Sequence, residues 1–201
     1  RANLRFGNQV YEELLGLRPA IALVNEQAYS AGLIEHYLQA GYKAIVMEWD
    51  NPARFHPEWR RSWRYFPQYA CNHHGDRIAL IWNSSIAFQK FQRYAHREIE
   101  LEEYLGYLSE FLSVTDGALP LYGNDAEIFD FRPGRFLTEA SLEEKGEWQR
   151  IKKLFRTLSD DKRYHIVAPS KVLSLLHLPE AGNELYLESS EHPVPVKKKG
   201  K

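Results

Sequence analysis

The chain has 201 residues, of which 44% are hydrophobic and 26% charged, with a formal net charge of −1. That length carries one ordinary domain with a core of its own, and the balanced charge excludes an electrostatic footprint for nucleic acid. No apolar run approaches the ~20 residues of a membrane span, and the lone Cys71 has no partner for an internal disulfide, so a soluble protein of a reducing, cytoplasmic compartment is the expectation.

Residues 3–15 carry Val10, Leu14 and Leu15 at helical spacing, with Gly16 as a natural C-cap and Pro19 as a stop. Ala20-Ile21-Ala22-Leu23-Val24 is an apolar run without polar alternation, the pattern of a buried parallel strand. It ends in Asn25-Glu26-Gln27. Ser30 caps a helix that runs to Gln39 and is closed by Gly41. Ala44-Ile45-Val46-Met47 reads as a second strand, ending at Glu48-Trp49-Asp50. Residues 51–76 form a long aromatic and polar loop interrupted by Pro52, Pro57 and Pro67, with a short helix near residues 58–63.

A third strand spans residues 77–82 and ends in Asn83. Helical patterns cover residues 85–94 and 100–111. Ala118-Leu119-Pro120-Leu121-Tyr122 reads as a fourth strand, ending at Gly123-Asn124-Asp125-Ala126-Glu127. Residues 142–158 are strongly amphipathic, Ile166-Val167 reads as a short strand, and Pro169 with Ser170 opens a small helix. Beyond Pro179 periodicity is lost, and the basic run at residues 197–201 suits a solvated tail. The rhythm predicts an α/β protein with residues 20–24, 44–47, 77–81 and 118–122 as neighbouring parallel strands and helices outside.

In parallel α/β architectures the working site lies at the carboxyl ends of the strands. Those ends here offer Glu26, Glu48 with Asp50, and Asp125 with Glu127. Cleavage of a glycosidic bond needs two such carboxyl groups, one as nucleophile or base and one to protonate the leaving oxygen. Taken singly, each acid reads first as a helix cap or an ion-pair partner. Aromatic residues make up 13% of the chain and crowd between Trp49 and Tyr94 beside Arg, His and Asn. Such rings either stack on sugars or fill a core. Trp49 with Asp50 and Trp82 with Asn83, at two strand ends, are candidate sugar contacts.

Two motifs join these acids. Gly16-Leu17-Arg18-Pro19, a strand, then Asn25-Glu26-Gln27-Ala28-Tyr29-Ser30 resembles the third motif of glycoside hydrolase family 57. Tyr122-Gly123-Asn124-Asp125-Ala126-Glu127-Ile128-Phe129, followed by Arg132-Pro133-Gly134, resembles that family's fourth motif. The resemblance implies that Glu26 is the nucleophile and Asp125 the acid/base of a retaining glycosidase or glucanotransferase acting on α-glucan, with Glu127 orienting Asp125 and Tyr29 beside the substrate. It implies no cofactor and no metal. Asn25 stands where the family commonly has Pro, and Asp130 where it commonly has Gly.

The family's first two motifs have no counterpart in these residues, so the resemblance also implies part of an incomplete (β/α)7 barrel, residues 1–180, completed by an N-terminal segment of the same barrel. Residues 181–201 are then an irregular tail or the start of a further segment. The rivals are a catalytically degenerate glycan-binding relative and a metal-dependent polysaccharide deacetylase on a similar barrel. Against the latter, the adjacent His73 and His74 lack ligand spacing. Ser84 and Ser85 lack nucleophile-elbow glycines. Trp148, on the amphipathic helix, reads as helix packing.

Overall fold

The structure, a computed structural model, describes residues 2–24, 29–113, 116–123, 129 and 146–187. These residues divide into two units. One gathers the described residues up to Ser84, Asp116–Ala118 and those from Ala168 onward. The other holds the described residues between Ser85 and Val167, apart from those three.

The first unit is built on a sheet. Helix α1, Ala2–Leu15, ends at Gly16, whose positive φ of 64° lets its N–H reach the Glu12 carbonyl at 3.0 Å. A side chain with a Cβ pays for that conformation, which is why glycine closes the helix. Strand β1, Ile21–Leu23, leads to α2, Leu33–Gln39, and then to β2, Ala44–Glu48. A short helix α3, Asp50–Ala53, and a 3-10 turn, Arg61–Tyr65, precede β3, Gln68–Cys71, and β4, Arg77–Asn83. The strand order is β1-β2-β4-β3-β5, with β5 at Glu184–Leu185.

The pairs β1–β2 and β2–β4 are parallel, as their apolar runs predict. The third neighbour is not. Strand β3 pairs antiparallel to β4 and parallel to β5. It lies inside the segment read from the sequence as loop. The turn between β3 and β4 is held by Asn72, whose Oδ1 accepts the N–H groups of His74 at 3.0 Å and Asp76 at 2.9 Å. Gly75 supplies the positive φ, 87°, that the turn demands. The expected irregular segment from residue 181 likewise contains β5.

Side chains alternate across a sheet, and the register sorts them. Ala22, Ile45, Met47, Leu80 and Trp82 share one face, which packs with Ile34 and Tyr37 of α2 into the first core. Burying this face supplies roughly 25 cal/mol per Å² of apolar surface. Helix α1 is pinned by a polar residue. Asn8 is buried, donates to the Ala40 carbonyl at 2.9 Å, and accepts the Tyr42 hydroxyl at 2.8 Å. The opposite sheet face carries Leu23, Val46, Ile81, Glu48 and Asn83.

The second unit is helical among its described residues. It consists of α4, Ser85–Ala95, α5, Leu101–Ser109, and α6, Glu147–Asp160. Phe91, Tyr94, Tyr104, Leu108, Ile151 and Leu154 form its core. Arg150 ties the helices together: Nε donates to the Tyr94 carbonyl at 2.8 Å and NH2 to the Ile99 carbonyl at 2.9 Å. Residues 117–123 form no strand. Pro120 in the middle lacks the N–H that a ladder needs, and Leu119, Leu121 and Tyr122 pack on the helical core instead. Ile166 and Val167 are also not a strand, and both are exposed. Back in the first unit, Pro169 opens helix α7, Pro169–Val172, in keeping with its fixed φ.

Candidate active site at the carboxyl ends of the parallel strands

Glu26, Asp125 and Glu127 lie outside the described residues. Their flanks are described. Val24 continues the parallel ladder beyond β1, its N–H bonding the Val46 carbonyl at 2.9 Å, and is the last described residue before the segment that holds Glu26. Tyr29, the first residue after it, is buried in the sheet's core. Tyr122 and Phe129 flank Asp125 on the second unit.

The carboxyl ends of β2 and β4 meet in register, Glu48 beside Asn83 on one face and Met47 beside Trp82 on the other. The Trp49 N–H extends the ladder by bonding the Asn83 carbonyl at 3.1 Å. Glu48 is buried, and its Oε2 accepts the Asn51 N–H at 2.9 Å at the start of α3. That is helix capping, the structural use of a strand-end acid. Asp50 is more accessible. Its Oδ1 accepts a hydrogen bond from Arg64 NH2 at 2.9 Å, and the side chains are 40% and 26% exposed.

Trp49 and Trp82 are 5% and 3% exposed. Their rings meet edge to face at 4.9 Å, and Trp59 closes the group at 5.7 Å from Trp49 and 6.0 Å from Trp82. His56 stacks on Trp59 at 4.2 Å, and the Arg64 guanidinium lies 5.8 Å from the Trp49 ring centre. The ring faces expected to meet sugars are thus largely occupied by one another. Sequence reading missed Trp59, His56 and Arg64 as members of this group. The signal available was their common stretch of aromatic and basic residues between two strands.

On the second unit, the Tyr122 ring lies 5.0 Å from Phe91 and 5.2 Å from Phe129. Glu147, buried at the start of α6, pairs with His96 Nδ1 just after the end of α4. Cys71 sits buried in β3, where burial pushes its thiol up and away from thiolate chemistry. His73 stacks on Tyr186 at 5.6 Å. Among the described residues no three His, Cys, Asp or Glu side chains gather as a metal site, and no helix is long and apolar enough to cross a membrane.

The comparison that decides the family is with Glycosyl hydrolase family 57, whose model matches residues 1–186. The chain belongs to this family. The match spans both motifs that suggested it. Among solved structures, this family 57 chain is similar to the crystal structure of 4-alpha-glucanotransferase from Thermococcus litoralis, with a TM-score of 0.64 and 19% identity. The superposition covers 93% of this chain and 27% of that one. At that identity the likeness is one of fold: a mostly parallel sheet flanked by helices. No curated protein matches this chain.

Proposed function

We propose that this family 57 chain carries the catalytic pair of a retaining glycoside hydrolase or glucanotransferase acting on α-glucans, within a (β/α)7 barrel. The observation that carries the reading is the family match over residues 1–186, which spans Glu26 and Asp125 together. It is supported by the parallel strands β1, β2 and β4, the first of which continues through Val24 to the residues that include Glu26.

In this reading Glu26 attacks the anomeric carbon while Asp125 protonates the leaving oxygen, giving a covalent glycosyl-enzyme. Asp125, now a carboxylate, then takes a proton from water or an acceptor sugar, which displaces Glu26. The two carboxyl groups of a retaining pair stand roughly 5–5.5 Å apart. Glu127 orients Asp125. Tyr29 and Asn83, both buried, back the strand ends, and Asp50 with Arg64 offers a partly exposed pair for sugar hydroxyls. Trp49 and Trp82 support this wall from behind, as their burial suggests.

The test is a pair of variants in the active protein that contains this chain. Glu26→Gln removes the nucleophile, so no glycosyl-enzyme accumulates. Asp125→Asn lowers turnover of oligosaccharides by roughly 10²–10⁴-fold, less for aryl glycosides whose leaving group needs no proton, and azide partly restores the second step for these. Full activity in Glu26→Gln would overturn Glu26 as the nucleophile, whereas glycan binding without any turnover in the unaltered protein would favour a chain that holds glycan without cleaving it.

A further inference from the structure

The carboxyl end of β2 presents a side chain that is held in place and still has hydrogen bonds to give. Asp50 follows β2 at a distance of two residues along the chain, at the start of α3, and Arg64 lies in the 3-10 turn Arg61–Tyr65. Arg64 NH2 donates to Asp50 Oδ1 at 2.9 Å. The centre of the guanidinium lies 5.8 Å from the Trp49 ring centre and 6.0 Å from that of Tyr65, within cation–π range. The main chain of both ring residues is tied down in turn. The Trp49 N–H bonds the Asn83 carbonyl at 3.1 Å, and the Tyr65 carbonyl accepts the Ala118 N–H at 2.7 Å.

A guanidinium carries five N–H donors and no acceptor. Among the described residues, the bond to Asp50 is the one hydrogen bond that the Arg64 side chain makes. That side chain is 26% exposed, and none of its nitrogens is among the buried polar atoms left without a partner. Its remaining donors therefore face solvent. Asp50, 40% exposed beside it, offsets its charge. An anionic ligand drawn to Arg64 would meet that carboxylate as well, and like charges reject it. A pair of hydroxyls suits both groups, since an oxygen accepts from the guanidinium while an O–H donates to the carboxylate. Adjacent hydroxyls of a neutral sugar have this chemistry, and the planar fork of arginine delivers two N–H groups to two neighbouring oxygens.

We infer that Arg64 is a specificity-determining residue for the glucan: it reads two adjacent hydroxyls of one sugar ring, while Asp50 turns away anionic ligands. The inference rests on the α-glucan reading given above. Binding ordinarily costs a long side chain its rotamer freedom, and here Trp49, Tyr65 and Asp50 already restrict it in the fold. Trp49 thus serves binding from within the core, by holding the guanidinium rather than by stacking on a sugar. Hydrogen bonds from a charged donor are strong enough for the loss of one to lower recognition by about tenfold.

The test measures kcat/KM for a maltooligosaccharide and its singly deoxygenated analogues in the active protein that contains this chain, unaltered and as Arg64→Lys. Lysine keeps the positive charge beside Asp50 and loses the planar fork. In the unaltered protein, removing either of two adjacent hydroxyls should lower kcat/KM by about tenfold. In Arg64→Lys the parent substrate should itself fall by about tenfold, and those two analogues should be no worse than the parent. Such coupling is expected when side chain and ligand group are partners. A merely structural role for Arg64 would lower parent and analogues alike, so deoxygenation losses that persist in Arg64→Lys would overturn the inference. Unchanged kcat/KM for the parent in Arg64→Lys would overturn it too, as would an unaltered protein indifferent to every adjacent pair, a result that needs no variant to fold. A protein with no turnover of maltooligosaccharide removes the α-glucan reading and the inference with it; turnover without the coupling removes the inference alone.

Discussion

The two units of this chain are organised by different physics. The first is a sheet whose geometry is set by main-chain ladders, with Trp49, Trp59, Trp63 and Trp82 gathered at or near its core. The second is a set of helices whose geometry is set by rings, with Phe91 meeting Tyr104 and Phe129, and Tyr94 stacked on Tyr104. Ladders specify position residue by residue, since a slip of one turns every side chain to the other face. Ring clusters specify position through shape, and a hydroxyl or indole N–H must also find a partner.

The largest effect that sharpens this contrast is expected at Trp49. A sugar-stacking ring can be removed with little loss of stability, whereas a buried one leaves a cavity. Trp49 packs edge to face on Trp82 and is almost fully buried. Trp49→Ala should therefore cost about 3–5 kcal/mol of unfolding free energy. Denaturant unfolding followed by tryptophan fluorescence weights the first unit, because only Trp148 of the five tryptophans lies in the second. An unchanged midpoint would return Trp49 to the role of an exposed binding surface.

How much of this was legible in the sequence follows the same division. The parallel strands at residues 20–24, 44–47 and 77–82 were readable because continuous apolar runs bounded by glycine and proline have few other solutions. The end of α1 at Gly16 and the start of α7 at Pro169 were readable from single residues with fixed conformational meaning. Strand β3 was not, because Gln68-Tyr69-Ala70-Cys71 lacks an apolar run. Its signal was the Asn72-His73-His74-Gly75-Asp76 turn, which joins it to β4 as a hairpin. Residues 118–122 misled in the opposite direction, since an apolar run does not say which core it joins, and Pro120 was the clue against a ladder. Of the candidate acids, Glu48 was legible as a strand-end residue, while Glu26, Asp125 and Glu127 rest on their motifs and lie outside the described residues. The capping of α3 by Glu48 and the burial of Trp49 and Trp82 were not, because they depend on partners distant in sequence.

A smaller effect separates the units by pH. Burial pushes the Tyr104 hydroxyl of the second unit far above the usual phenol range, with a further push from Tyr107. Burial also raises Tyr94 in the same unit, and Tyr37 and Tyr42 in the first. A raised folded-state value means the folded protein holds the proton more tightly than the unfolded chain. The stability so gained is complete below the unfolded phenol value of about 10 and is lost as pH rises toward the folded values. Tyr104 has the further distinction that its hydroxyl is buried without a hydrogen-bond partner among the described residues. Tyr104→Phe should thus stabilise the second unit by roughly 1 kcal/mol and flatten its alkaline loss. Helix circular dichroism against pH, read beside tyrosinate absorbance, checks both. A destabilised variant would mean that the hydroxyl has a partner in the folded protein.

The smallest effect concerns surface rather than core. On α1, Phe6, Val10 and Leu14 follow one another at four-residue spacing, on a side turned away from Leu4 and Asn8, which face the first core. Phe6 is 67% exposed and Leu14 77%. Exposed leucines scattered singly are ordinary, but a stripe on one helix face is a patch that binds apolar ligands. This chain in isolation should therefore enhance the fluorescence of a hydrophobic dye. Leu14→Glu should remove much of that signal while changing stability by no more than about 0.5 kcal/mol, as expected of a surface substitution away from packing. The glutamate also keeps good helix propensity, so α1 itself persists. Dye binding that survives Leu14→Glu would locate the apolar patch elsewhere, with Leu23 on the open face of β1, 43% exposed, as the next position to change.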